Sequence, residues 1–284
     1  MPELPEVETI RRQLEREIVG FKIVDVWYDR EKLLRPSPRE FIDGVVGKTI
    51  AGVGRRGKLL IFKIQNPKSK IQSYFLVHLR LSGRLLVRSP NTPPDDYVHV
   101  ILKLKAKSQK PKALELRFAE ARLFGYMQYV GGQKELNEIL KKYGPEPLFS
   151  LTANKFYSIL QKSRKPIKLL LMDQKKIAGV GNIYANDALF LAKIHPQTPA
   201  RSLSREQSDK LLKAIEQVFK EGLKYGGASD QWYRQVHGEK GSYQEHLKVY
   251  GRAGKKCERC GAVIKRIELG GRGTFFCPRC QFKN

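Results

Sequence analysis

The chain has 284 residues, a length that suits about two domains, and its 41% hydrophobic content is enough to build a real core. Lys and Arg number 54 against 28 Asp and Glu, and the resulting charge of +26 is spread along the whole length, which points to nucleic acid as the partner. No run approaches the roughly 18 apolar residues of a membrane span, and Glu3, Glu6 and Glu8 occupy the place of a signal peptide's basic and apolar regions, so an intracellular protein with no membrane role is expected.

The chain opens Met1-Pro2-Glu3-Leu4-Pro5-Glu6. Removal of Met1 would leave Pro2 as a secondary amine. An α-amino group titrates at about 7.7–8.0, so a useful fraction is unprotonated at neutral pH. Such an amine can attack a carbonyl-like carbon and give an iminium, an electron sink. Glu3 and Glu6 follow as acid/base candidates. On the hexapeptide alone, two acids at a helix N-terminus are the simpler reading. The stripe Val7, Ile10, Leu14, Ile18 predicts a helix over 5–19, with Pro5 in its first turn and Gly20 at its stop.

From 21 to 130 the pattern changes to strands, predicted over 21–28, 49–53, 59–65, 74–81, 98–104 and 114–119, with a polar loop over 90–96. Short strands at this spacing predict an antiparallel sandwich. Gly131-Gly132 marks a boundary. Beyond it, helices are predicted over 133–143, 152–162, 167–172, 183–192 and 204–224, and 225–242 reads as a mobile loop. All four cysteines fall at the end, as Cys257-Glu-Arg-Cys260 and Cys277-Pro-Arg-Cys280. This spacing predicts one structural four-thiolate zinc site; a pair of disulfides is the alternative, disfavoured in a reducing compartment. Strands over 263–269 and 274–276, joined by Gly270-Gly271-Arg272-Gly273, predict a hairpin with Arg272 at its tip. The expected modules are 1–130, 131–225 and 226–284.

The opening motif, Arg55-Arg56-Gly57-Lys58, His78-Leu-Arg-Leu-Ser-Gly83, Tyr143-Gly-Pro-Glu-Pro147, Gly179-Val-Gly-Asn-Ile-Tyr184 and the cysteine hairpin occur in this order. Together they resemble the formamidopyrimidine-DNA glycosylase family, bifunctional enzymes that excise oxidised purines such as 8-oxoguanine. The resemblance implies an α+β multidomain fold: an N-terminal antiparallel β-sandwich with flanking helices, a helix–two-turn–helix domain and a C-terminal zinc-finger hairpin. It implies one structural Zn2+ per chain, double-stranded DNA with oxidised bases or abasic sites as partner, a monomeric state, and a place in the cytoplasm near the nucleoid.

By this resemblance Pro2 matches the nucleophile, Glu3 the proton donor that opens the sugar, and Glu6 a carboxylate of the same site. Lys58 matches a lysine of β-elimination and phosphate contact, and Arg272 a phosphate clamp of δ-elimination. Asn182 and Lys168 match phosphate contacts, and His78 and Arg164 are further expected DNA contacts. Leu81, Arg122 and Phe124 match the side chains that fill the hole left by an extruded base; without the resemblance, Leu81 and Phe124 read as sandwich core.

The sequence departs from the family pattern in several places. Glu120-Ala-Arg-Leu-Phe-Gly125 stands for Asp-Pro-Arg-Arg-Phe-Gly, and Leu81 for a methionine. Asp95-Asp96-Tyr97 stands for His-Asp-His, and Ser163, beside Arg164 and Lys165, takes a basic position. Trp232 and Tyr233 stand in a loop that lacks the common pattern, where they could stack on a base or pack the loop. These changes bear on lesion choice. Two alternatives remain at this point: an endonuclease VIII-like enzyme for oxidised pyrimidines, and a catalytically silent DNA-binding protein. Leu4, where the pyrimidine branch usually has glycine, favours the purine branch.

Overall fold

The structure is a computed structural model and describes residues 1–66, 72–106, 113–229 and 231–282. Asp230, within the segment read as a loop, lies outside the described residues. The chain divides into two compact units, one formed by Met1–Lys141 with Tyr225–Ser242 and the other by Lys142–Lys224 with Tyr243–Asn284.

The first unit begins with helix α1 (Leu4–Ile18), whose buried stripe is the one read from the sequence, extended by Leu4. Next come β1 (Lys22–Tyr28), β2 (Leu34–Arg35), α2 (Pro38–Val45), β3 (Thr49–Arg56), β4 (Leu59–Gln65) and β5 (Gln72–His78). Then follow β6 (Gly83–Arg88), β7 (Val98–Lys105), β8 (Ala113–Glu120), β9 (Tyr126–Val130) and α3 (Gln133–Leu140). The strands hydrogen-bond in the order β2-β9-β5-β4-β3-β1-β7-β8-β6, antiparallel except for β2 with β9. Among the described residues, Lys22 opposite Thr49 is the one registered pair between β1 and β3, and both strands carry an irregularity just beyond it. The sheet can therefore fold over at this seam. Phe62, Phe75 and Val77 from one half share a single core with Leu85, Leu102 and Leu116 from the other, and Val7, Ile10 and Leu14 of α1 belong to it.

Strands β2, β6 and β9 and helix α2 were not among the sequence expectations. The predicted 74–81 strand stops at His78 because Arg80 takes a left-handed φ of 53°, and β6 starts at Gly83 after a connection, 79–82, that holds no Gly, Pro, Asn or Asp. Helix α2 did carry a signal, Ser37-Pro-Arg-Glu40, in which the Ser37 hydroxyl accepts the Glu40 amide at 3.2 Å.

Residues 225–242 were expected to begin the third module as a mobile loop. They fold instead within the first unit. Tyr233 and Val236 are buried in its core, the Val87 amide donates to the Val236 carbonyl at 2.8 Å, and Gln13 bridges to Gln235 at 2.6 Å.

The second unit holds α4 (Ala153–Gln161), α5 (Ile167–Leu171), α6 (Asn182–Leu191), α7 (Arg205–Lys224) and the hairpin β10 (Lys265–Leu269) with β11 (Arg272–Phe276). Helix α6 is buried on nearly every side, among them Tyr184, which stacks on Tyr243 and meets Phe219 of α7 edge-on. No helix among the described residues is long and apolar enough to cross a membrane.

Candidate active site

The amino terminus is fixed by its own helix. Pro2 is buried, and Glu3 and Glu6 are each 1% exposed. Glu3 is the N-cap of α1, and its backbone N–H donates to Glu6 Oε2 at 2.7 Å. Glu6 Oε1 accepts the Ala228 N–H at 2.8 Å. One carboxylate thus binds the start of the chain to the 225–242 segment. Tyr233 closes this corner: its hydroxyl donates to the Gly226 carbonyl at 2.9 Å, and burial, together with the charge of Glu6, pushes its phenol well above the ordinary range.

Lys58 stands in the two-residue turn between β3 and β4 and is 5% exposed. Its turn is tied to α1 through a residue that sequence reasoning had not placed in the site. Glu8 receives Arg11, Arg12 and Arg55 at 3.0, 2.8 and 2.8 Å, and Arg55 Nη1 also donates to the Gly57 carbonyl at 3.3 Å. Burial raises the Glu8 carboxyl, but the three guanidiniums outweigh it and hold the group below its ordinary value. The path Glu8–Arg55–Gly57 therefore positions Lys58 relative to the amino terminus. The spacing of Glu8 and Arg12 on one helix face was the available signal, and it marks an ordinary surface pair equally well.

His78 ends β5 opposite Leu59. Burial, then the charges of Arg80, Lys58 and Arg35, push its pKa down to about 3, so the ring is neutral and its Nδ1 accepts the Arg80 amide at 3.1 Å. Arg35 lies 4.0 Å over the Tyr126 ring and Arg80 lies 5.7 Å from it. Three cations thus gather about one neutral imidazole, a surface suited to anions. Neither Arg35 nor Arg80 was among the expected contacts.

Leu81 sits half-buried in the connection between β5 and β6, and Phe124 is 56% exposed in the turn between β8 and β9. The reading of Phe124 as sandwich core is therefore excluded by its exposure. Arg122 lies 5.7 Å over the Phe124 ring. Trp232 meets Tyr97 edge-on at 5.9 Å, and Tyr233 is buried, so both aromatics of the loop pack against the first unit. Asp95 is held by Arg88 at 2.8 Å and Arg117 at 3.0 Å.

In the second unit, Gly270 and Gly271, with φ of 59° and 68°, form the whole hairpin turn. Arg272 was expected at the tip. It is instead the first residue of β11, paired with Leu269 and exposed, because two consecutive left-handed glycines close the hairpin in two residues. Asn182 opens α6 and donates through Nδ2 to the Gly273 carbonyl at 3.2 Å. The Asn186 side chain accepts the Phe275 amide at 2.7 Å. Asp187, fully buried, accepts the amides of Lys248, Val249 and Tyr250; burial raises its pKa against these three bonds.

Lys168 was expected near phosphates. It is 0% exposed, and its Nζ donates to the Gly273 carbonyl at 3.0 Å and to Thr274 Oγ1 at 2.6 Å. Its position on α5 directs the ammonium under the hairpin, so it acts as a strut there rather than as a surface contact. Arg164 lies exposed in the connection from α4 to α5.

The four cysteine sulfurs lie within 4.8 Å of one another, with Cys260 to Cys277 at 3.4 Å and Cys257 to Cys280 at 4.0 Å. A tetrahedral zinc with bonds of about 2.3 Å needs sulfurs about 3.8 Å apart, whereas a disulfide needs about 2.05 Å. The donor set fits one structural zinc, and all four cysteines are free of disulfides.

Three family models match in the same order as these parts. The formamidopyrimidine-DNA glycosylase N-terminal domain matches residues 1–127, that family's H2TH domain matches 143–233, and the zinc finger found in FPG and IleRS matches 254–281. A formamidopyrimidine-DNA glycosylase of Chloroflexus aurantiacus is 42% identical, over 99% of this chain and 98% of its own length. The solved structure of Lactococcus lactis Fpg with DNA containing an abasic site superposes with a TM-score of 0.89 at 37% identity, covering 99% of this chain and 100% of that one. The same enzyme with DNA containing N7-benzyl-Fapy-dG gives the same TM-score, identity and coverage. With full-length identity near two-fifths and every module matched in order, this chain belongs to the formamidopyrimidine-DNA glycosylase family.

Proposed function

We propose that the chain is a base-excision repair enzyme that removes oxidised purines, 8-oxoguanine and formamidopyrimidines, from double-stranded DNA and then cleaves the abasic strand. The observation that carries this reading is the buried Pro2 beside a Glu3–Glu6 pair held by Glu3 N–H and Ala228 N–H. Once Met1 is removed, the Pro2 nitrogen attacks C1′ of the damaged nucleotide and the base leaves. Glu3 delivers a proton to the sugar ring oxygen as the ring opens, leaving an iminium between Pro2 and C1′. The iminium acidifies the C2′ hydrogens. Loss of one expels the 3′ phosphate by β-elimination, and δ-elimination then expels the 5′ phosphate, leaving a one-nucleotide gap. Lys58 serves β-elimination and Arg272 δ-elimination.

The nucleotide must leave the stack before this chemistry. Leu81, Arg122 and Phe124 fill the hole it leaves, with leucine in place of methionine still an apolar wedge. His78, Asn182 and Arg164 face phosphates. Cys257, Cys260, Cys277 and Cys280 hold the zinc, which crosslinks the hairpin base and takes no part in the reaction. We read the protein as an intracellular monomer associated with the nucleoid.

The test is single-turnover excision from duplexes with 8-oxoguanine opposite cytosine or with an oxidised pyrimidine. Faster release of the purine is expected. Preference for the pyrimidine would move the protein to the endonuclease VIII branch, and no release from either would leave a binding protein.

A further inference from the structure

Two turns of the first unit stand side by side. One, residues 79–82, joins β5 to β6 and carries Leu81; the other, residues 121–125, joins β8 to β9 and carries Arg122 and Phe124. Glu120, the last residue of β8, lies between them at 0% exposure. Its Oε1 accepts the Ser82 hydroxyl and the Arg122 amide, the latter at 3.2 Å, and its Oε2 accepts the Gly125 amide at 2.8 Å. Ser82 Oγ accepts the same Arg122 amide at 3.1 Å.

The backbone around this carboxylate has little freedom. Arg80 and Leu123 both adopt left-handed φ, 53° and 55°. A Cβ on Gly83 would lie 2.4 Å from the Leu79 carbonyl oxygen, and one on Gly125 would lie 2.6 Å from Glu120 Oε2. The family pattern has Asp-Pro where this chain has Glu120-Ala121. No proline ring stiffens this turn, and the carboxylate with its three donors holds it.

We propose that Glu120, acting through Ser82, is a positioning residue that locks the Leu81 turn to the Arg122–Phe124 turn, so that the wedge meets the base stack as one rigid piece. This rests on reading Leu81, Arg122 and Phe124 as the groups that fill the vacated stack. If the two turns moved independently, their side chains would have to be ordered at the moment of base extrusion, at an entropic cost that a preformed wedge avoids. All three partners of the carboxylate are donors here. An amide at position 120 would turn its own NH2 toward one of them, so Glu120→Gln tests the contact with almost no change in volume.

The experiment measures single-turnover excision by Glu120→Gln, Ser82→Ala and Leu81→Ala on two substrates. One is a duplex with 8-oxoguanine opposite cytosine. The other places the same lesion in a one-nucleotide bulge, where no opposing base is orphaned. Loss of one charge-assisted hydrogen bond predicts that Glu120→Gln slows the duplex reaction by about tenfold or more while the bulge reaction changes by less than about twofold. Ser82→Ala is expected to do the same to a smaller degree. Equal slowing on both substrates, or none on either, overturns the proposal. Leu81→Ala separates the two levels of the argument. If it slows the duplex selectively and Glu120→Gln does not, the positioning role alone fails. If it shows no such selectivity, the wedge reading itself fails. Should Glu120→Gln melt well below the parent protein, Ser82→Ala decides.

Discussion

Replacing Lys168 with methionine separates a strut from a phosphate contact. The side chain is fully buried, and its ammonium donates to Gly273 O at 3.0 Å and Thr274 Oγ1 at 2.6 Å. Hydrogen bonds from a charged group contribute about 1.5–3 kcal/mol each, and removing the buried charge returns part of that by sparing its desolvation. A net loss of about 2 kcal/mol follows, which corresponds to roughly 4–8 °C in melting temperature. Asn182 Nδ2 still donates to Gly273 O, so the hairpin is loosened rather than released. Affinity for lesion DNA should fall through less orderly presentation of Arg272. The decisive reading is the slope of log Kobs against log salt. A lysine bound to phosphate contributes about one unit to that slope, and a strut contributes nothing. The structure thus predicts lower stability, weaker binding and an unchanged slope for Lys168→Met. A slope shallower by about one, with no loss of stability, would refute the strut.

Other outcomes follow from the same geometry. Cys260→Ala should abolish the single zinc equivalent seen by metal analysis and weaken DNA binding by loosening the hairpin; full affinity without zinc would remove the metal's supporting role. Glu6→Gln leaves an amide NH2 facing either the Glu3 or the Ala228 N–H, costing about 1–3 kcal/mol locally. Faster hydrogen exchange at Ala228 is the expected sign, and unchanged protection there would count against the clamp. His78 has a folded pKa of about 3, below its ordinary value of 6.5, so it stays neutral in the fold while the unfolded chain takes up a proton. Its contribution to stability is complete above about pH 6.5 and is lost toward pH 3 at about 1.4 kcal/mol per pH unit. His78→Gln should flatten the acid side of the stability curve by that slope; an identical curve would show that the imidazole is not held neutral.

Local signals made the ends of the molecule legible. The apolar stripe and Pro5 gave α1 to within a residue at each end, and the two Cys-x-x-Cys pairs gave the thiolate cluster that the structure brings within 4.8 Å. What escaped depends on partners distant in sequence. The segment 225–242 reads as a polar, glycine-rich loop, yet Glu6, Gln13 and Arg88 tie it down from more than 140 positions away. Lys168 was placed by resemblance, which says nothing of which way a side chain points, and Arg272 was put at the tip by a strand reading that began β11 two residues late. The burial of one and the strand position of the other come from hairpin geometry. Glu8 and Glu120 look like surface acids in sequence, and only packing shows that each organises a cluster of donors.

The most direct measurement is borohydride trapping of the protein, first shown by intact mass to lack Met1, on a duplex carrying 8-oxoguanine opposite cytosine. Reduction freezes an iminium as a stable protein–DNA adduct whose attachment site can be sequenced. An adduct on the Pro2 nitrogen is expected, absent when Met1 is retained. An adduct on a lysine, or none at all with Met1 removed, would contradict it.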